Sequence, residues 1–425
     1  MKAFHRIFAS AKVQGALWHA GPRVLRVASG VIASAVVARH LGPENFGILS
    51  FATMMATLAA GLVQLGSLEV VSKNVAVHPE KMKSLLHSSM KWRLAGAVLA
   101  AVVISIFPLG FGHPAVYLIL AILPLTLVPD YVEAAFYGRS EFRAMAPIRA
   151  FTSLLGMGLR LYLANHDQPV EAFAAATVLE GGATALLFLL WQKKIPGASE
   201  PQVEFPESLL LRQSVPLVAS GLVVAVMLKL DQLLLQALRP GADVGYYYVV
   251  VRLFEMVGVL IPSLVAVLLP DLARLRATSE DAYKEKMVLI YRHTYQLGLL
   301  VAFVGCAVAP WLIPFLFGIK YGPAVPIFVA YAFMFPSLVV GSVRSMEFVV
   351  SNKNMNHLLV SLALLPLQLA FCSVGVHYFG PTGLAAAMAI VGFISTTVFS
   401  ILLPPLRESG ALQWKALRSL FCRGN

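Results

Sequence analysis

The 425 residues are 58% hydrophobic and only 13% charged, with a mean hydropathy of +0.77 and a formal net charge of +12. Soluble domains are nearer a quarter charged, so this composition excludes a soluble globular protein. The excess positive charge then belongs on loops that face anionic lipid headgroups, and no nucleic-acid partner is expected.

The chain begins MKAFHRIFASAKVQGALWHAG, which is basic and amphipathic and has no continuous apolar core before Val24. It is therefore not read as a cleavable signal peptide. Apolar runs follow at 22–41, 46–71, 90–110, 114–136, 147–165, 170–191, 209–237, 245–270, 289–312, 323–350, 356–379 and 382–403. A bilayer-spanning helix needs ~20 such residues, so each run is a predicted transmembrane helix. Trp18, Trp92, Trp191, Trp311 and Trp414 lie near run ends, where an indole prefers the interface. Pro124, Pro216, Pro262 and Pro336 fall within runs and loosen them.

Lys and Arg concentrate in alternate gaps. One set of gaps holds Lys2, Arg6, Lys12 and Arg23; Lys73, Lys81, Lys83, Lys91 and Arg93; Arg139, Arg143 and Arg149; Lys193, Lys194 and Arg212; Arg274, Arg276, Lys284, Lys286 and Arg292; Lys353; and Arg407, Lys415, Arg418 and Arg423. The intervening gaps hold only Arg39, Arg239 and Lys320. The positive-inside rule then places both termini in the cytoplasm. The fold class expected is an all-α polytopic membrane protein of about twelve helices.

The longest polar break, KKIPGASEPQVEFPES at 193–208, reads as a cytoplasmic linker between an N-terminal six-helix lobe, 1–192, and a C-terminal one, 209–425. The two halves share features in the same order. RHLGPENFG (39–47) answers RPGADVG (239–245), Pro114-Ala115-Val116 answers Pro323-Ala324-Val325, Pro124 answers Pro336, and GRSEF (138–142) answers SNKNM (351–355). An even number of spans per half makes this a parallel repeat about an axis along the membrane normal.

Five basic residues remain within spans: Arg26, Arg160, Lys229, Arg252 and Arg344. A charge in hydrocarbon costs at least ~2.5–3.5 kcal/mol, so such residues face the bundle interior and mark a pathway unless a local partner explains them. Arg252 with Glu255, and Arg344 with Glu347, are three apart and can form local salt bridges, while Arg26 can snorkel to the cytoplasmic surface. Lys229 and Asp231, two apart, point to different sides. Lys229 and Arg252 both lie about 10–12 Å below the outer surface at ~1.5 Å per residue. Glu180, near the middle of its run, is read either as an isolated proton carrier or as a hydrogen-bonded packing residue. Asp231 and Glu255 complete the candidates for ion coupling.

No enzyme motif is present: no Gly-x-Ser-x-Gly, no phosphate-binding glycine loop and no His-Glu-x-x-His. Cys306, Cys372 and Cys422 form no Cys-x-x-Cys, and no metal site or resident cofactor is expected.

Ala38-Arg39-His40-Leu41-Gly42-Pro43-Glu44-Asn45-Phe46-Gly47 resembles a signature of bacterial polysaccharide-export flippases. So do Lys229-Leu230-Asp231-Gln232, Val244-Gly245-Tyr246-Tyr247, Arg252-Leu253-Phe254-Glu255, Leu269-Pro270-Asp271-Leu272, and Phe317-Gly318 with Tyr321 and the turn at Asn352-Lys353. These flippases form the polysaccharide branch of the multidrug/oligosaccharidyl-lipid/polysaccharide (MOP) exporter superfamily. The resemblance implies two six-helix lobes around a V-shaped cavity, working by alternating access. The implied substrate is a polyprenyl-pyrophosphate-linked oligosaccharide, turned across the bacterial inner membrane for O-antigen or exopolysaccharide synthesis. Its partners would be that lipid, the surrounding membrane lipids and other glycan-assembly membrane proteins, and H+ or Na+ would be the coupling ion. Arg26, Lys229 and Arg252 would offer cations to the pyrophosphate, with Arg160 and Arg344 as further candidates.

Three other readings differ in what they require. A small-molecule, multidrug-type antiporter on the same fold predicts a cavity dominated by carboxylates. A sugar transporter of the major facilitator type needs a Gly-x-x-x-Asp-Arg/Lys-x-Gly-Arg/Lys loop, absent from Ser72–Lys91. A glycan polymerase or ligase needs an extended outer loop, and the outer gaps are too short to supply one.

Overall fold

A computed structural model describes residues 11–64, 68–106, 112–139, 145–192, 206–258, 260–351 and 354–421. Every described element is helical or a turn. In chain order the helices are α1 (Ala11–Ala59), α2 (Leu68–Val77), α3 (Met82–Ile106), α4 (Pro114–Leu120), α5 (Leu123–Thr126), α6 (Tyr131–Gly138), α7 (Ala146–Asn165), α8 (Val170–Gln192) and α9 (Glu207–Leu228). They continue as α10 (Leu230–Leu238), α11 (Ala242–Gly258), α12 (Leu260–Thr278), α13 (Glu280–Phe317), α14 (Ala324–Ala332), α15 (Met334–Val350), α16 (Asn354–Phe393), a π-helical turn (Ile394–Val398), α17 (Phe399–Leu402) and α18 (Arg407–Phe421).

Each apolar run predicted from the sequence is largely helical among the described residues. Among the described residues, eight continuous stretches are long and apolar enough to cross a membrane. Two of these, Ala28–Gln64 and Leu362–Leu402, each carry two of the expected spans. The reason is the same in both. α1 is two helices meeting at Gly42 (φ 72°), and α16 is two helices meeting at Gly380 (φ 62°). Glycine takes positive φ without a Cβ penalty, and the proline that follows, Pro43 or Pro381, is pre-set for the first turn of the next helix.

The chain divides into two compact units, residues 25–229 and residues 1–24 with 230–425. The division falls at Lys229/Leu230, so α9 groups with the N-terminal unit although the longest polar break precedes it. Of that break, residues 193–205 lie outside the described residues.

In the N-terminal unit, α3 shows how the membrane shapes a helix. Leu94, Val98, Leu99, Val102, Val103 and Ile106 are exposed, whereas Ala97 and Ala100 are fully buried. Leucine gains nothing by leaving lipid for protein, so small residues that let backbones approach take the packed face. One buried cluster of this unit gathers Val71, Leu85, Val132, Phe136, Phe188 and Leu210. The C-terminal unit has its own, with Leu272, Tyr283, Met287, Tyr291, Val343, Met346, Leu412 and Ala416. There α13 and α15 touch so closely that a Cβ on Gly298 would lie 2.6 Å from the Pro336 Cα.

Candidate functional site

A polar seam runs through the N-terminal unit. On α7, Arg149, Thr152, Gly156 and Arg160 recur at helical spacing and share one face. On α8, Thr177, Glu180 and Thr184 do the same. The faces meet. Arg160 Nη1 donates to Glu180 Oε2 at 2.6 Å, and its Nη2 donates to Thr177 Oγ1 at 3.2 Å. Thr184 donates to Thr152 at 3.0 Å, and the Ser29 and Ser153 hydroxyls are 2.7 Å apart. At the far end Arg149 Nη2 lies 2.5 Å from Glu133 and 3.1 Å from Asp130. Glu180 is therefore not the isolated carboxylate that its lone position in an apolar run suggests. Its charge is matched by Arg160 on the neighbouring helix, which lowers the cost of holding either in the membrane. Gly156 makes the pair possible, because a Cβ there would fall 2.5 Å from the Glu180 carboxyl carbon and 2.9 Å from Arg160 Nη1.

Lys229 sits at a break in helix, with φ −113° and ψ 8°, between α9 and α10. Asp231, the second residue of α10, is only 1% exposed. It accepts a hydrogen bond from the Tyr247 hydroxyl of α11 at 2.7 Å. Tyr247 stands edge-on to Tyr331, which also meets Phe254 at a centroid distance of 4.8 Å. Arg252 and Glu255 meet along α11, 3.3 Å apart, with side chains 45% and 43% exposed. Within this stretch Asp231 is bonded to a buried tyrosine, and Arg252 meets a carboxylate one helical turn away.

Arg344 and Glu347, three apart on α15, are both buried, yet each turns to other helices. Arg344 donates to the Ser395 carbonyl, to Ser395 Oγ at 3.1 Å and to Ser400 Oγ at 3.2 Å. Glu347 accepts from Tyr291 at 2.5 Å and from Ser409 at 2.7 Å. Ser395 lies in the π-helical turn, whose extra residue shifts the backbone ladder and leaves a carbonyl open to an outside donor. Gln413 of α18 completes the network, donating to Ser409 at 3.2 Å.

The side chain of Arg26 lies outside the described residues. No cluster able to hold a metal ion occurs among the described residues. Three sets of partners escaped the sequence reading: the threonines of the α7–α8 seam, Tyr247 as the partner of Asp231, and the serines around Arg344 and Glu347. The first had a signal, because Thr152-Gly156-Arg160 and Thr177-Glu180-Thr184 are polar stripes of helical period inside apolar runs.

A family profile described as "Polysaccharide biosynthesis protein" matches residues 36–326. No curated protein matches the sequence. Among solved structures, the chain is similar to an inward-facing multidrug resistance MATE family transporter of the MOP superfamily, with a TM-score of 0.70 and 17% identity over 92% of this chain and 96% of that one. It is also similar to the lipid II flippase MurJ in an inward closed conformation, with a TM-score of 0.66 and 14% identity over 94% and 90% of the two chains. A mutant of the Vibrio cholerae MATE transporter VcmN aligns with a TM-score of 0.63 and 16% identity over 96% of each chain. The helical fold, its apolar exterior and these likenesses define a multi-pass membrane protein with the fold shared by those MATE and MurJ structures. The chain belongs to the polysaccharide biosynthesis protein family.

Proposed function

We propose that the protein is an inner-membrane flippase that moves polyprenyl-pyrophosphate-linked oligosaccharides by alternating access, supplying surface polysaccharide synthesis without catalysing a covalent step. The observation that carries this reading is the family match over residues 36–326, taken with the likeness to a lipid II flippase. The chemistry agrees. A pyrophosphate cannot enter hydrocarbon without matched positive charge. Arg252, whose side chain is 45% exposed and lies 3.3 Å from Glu255, is the first cation we assign to meet it. A doubly charged headgroup can displace that carboxylate. Lys229, at its helix break, is the second cation, with Arg26 as a third. Arg344 and Arg160, held by buried or neighbouring partners, position helices around the pathway. Asp231, Glu180 and Glu255 are the carboxylates through which H+ or Na+ would couple to transport.

A cation-coupled, multidrug-type antiporter is the alternative, favoured by the deep burial of the Asp231 carboxylate. The two separate in a cell whose own flippase is deleted. Expression of this chain should restore surface glycan, and the Lys229→Ala/Arg252→Ala variant should insert yet leave lipid-linked units unexported. Restored drug efflux without restored glycan would favour the antiporter.

A further inference from the structure

The last described helix, α18, begins at Arg407, just after the apolar stretch Leu362–Leu402 ends. A helix placed there meets the membrane surface as soon as the chain leaves the hydrocarbon. Its two faces differ. Ser409, Gly410, Leu412, Gln413 and Ala416 are buried against the C-terminal unit. Leu412 and Ala416 belong to the same buried cluster as Tyr283 and Met346. Gly410 packs on the Ser400 backbone, and Ser409 donates to Glu347 at 2.7 Å.

The opposite face carries Arg407, Trp414, Lys415 and Arg418, all exposed. The Arg418 guanidinium lies over the Trp414 ring at 5.3 Å. The spacing 407, 414, 415 and 418 keeps these residues on one side of the helix. The combination is specific in its chemistry: three cations for anionic headgroups, and an indole for the region just beneath them.

We propose that α18 is an in-plane interfacial helix whose Arg407–Trp414–Lys415–Arg418 face binds the anionic phospholipid headgroups of the membrane that the chain spans. The continuity of α18 with the last apolar stretch and the charge complementarity both select a bilayer over a protein partner. Anionic lipid holds the outer face while Ser409 and Gln413 hold the inner face to the Glu347 and Arg344 network. The inference stands whatever the transported substrate.

The test is hydrogen–deuterium exchange of the full chain in nanodiscs of zwitterionic phosphatidylcholine, and in nanodiscs containing a third phosphatidylglycerol. Amides of 407–421 should exchange about tenfold more slowly or better in the anionic discs, since each basic residue near such a surface adds its own attraction. The difference should vanish in the Arg407→Gln/Lys415→Gln/Arg418→Gln variant, with the rest of the chain unchanged. It should also vanish for the unaltered chain in half-molar salt, a control that does not depend on the variant folding. Equal exchange in the two disc types overturns the proposal and leaves an acidic protein surface as the occupant of this face. A difference that survives both the substitutions and the salt overturns it as well.

Discussion

Arg160 of α7 and Glu180 of α8 form an ion pair 2.6 Å long between neighbouring helices of the N-terminal unit, and both side chains are mostly withdrawn from solvent. Removing one partner leaves the other charge unmatched in a low-dielectric setting. Arg160→Ala should therefore cost about 2–3 kcal/mol, and the double replacement Arg160→Leu/Glu180→Leu distinctly less. Thermal unfolding in detergent reads the difference. An Arg160→Ala loss no larger than that of the double variant would show that the pair is not coupled.

Gly156 supplies the space for that pair. Gly156→Ala puts a Cβ where the Glu180 carboxyl stands, whereas Gly158→Ala, with nothing within 4 Å, meets open space. The first should lower the melting temperature and the second should not. Comparable melting of the two variants would remove Gly156 from the account.

How much of this was legible in the sequence depends on which interaction is asked about. Hydropathy placed the helices, because a membrane leaves no alternative for an apolar run of that length. The breaks left between runs at 42–45 and 380–381 fall on Gly-Pro pairs, whose geometry is local. The partner of Glu180 was hidden because Arg160 is twenty positions away on another helix, and helix register is decided by packing. The i,i+3 spacing does bring Arg252 and Glu255 together, 3.3 Å apart on α11. Arg344 and Glu347, also three apart, are engaged as well by Ser395, Tyr291 and Ser409, which offer interhelical hydrogen bonds in a buried setting. The compact units divide at Lys229 and the polar linker lies at 193–208, because compactness follows contacts while composition marks loops.

Tyr247 donates to Oδ2 of the buried Asp231 carboxylate at 2.7 Å. Tyr247→Phe keeps the ring packing on Tyr331 and Phe254 but removes the donor, and should cost about 1.5–3 kcal/mol, as for a hydrogen bond to a charged group. If Asp231 binds the coupling ion, the same variant should also shift the ion concentration that gives half-maximal transport. Unaltered stability and unaltered ion dependence would contradict both parts.

Arg344 reaches Ser395 and Ser400 through two guanidinium nitrogens. Lysine offers a single nitrogen and cannot span them, so Arg344→Lys should destabilise by about 2 kcal/mol despite keeping the charge. Unfolding followed at the C-terminal unit checks this, and a melting temperature equal to that of the unaltered chain would count against it.

The central claim is that the chain carries a lipid-linked glycan, and it is tested most directly in proteoliposomes. A polyprenyl-pyrophosphate oligosaccharide is placed in the inner leaflet, and its arrival outside is read with a membrane-impermeant lectin. The reconstituted protein should expose the glycan well above protein-free vesicles. The Lys229→Ala/Arg252→Ala variant should be slower by about tenfold or more, the scale of one lost charge-assisted hydrogen bond. Exposure no faster than in protein-free vesicles, with the protein folded and an ion gradient imposed, would contradict the account.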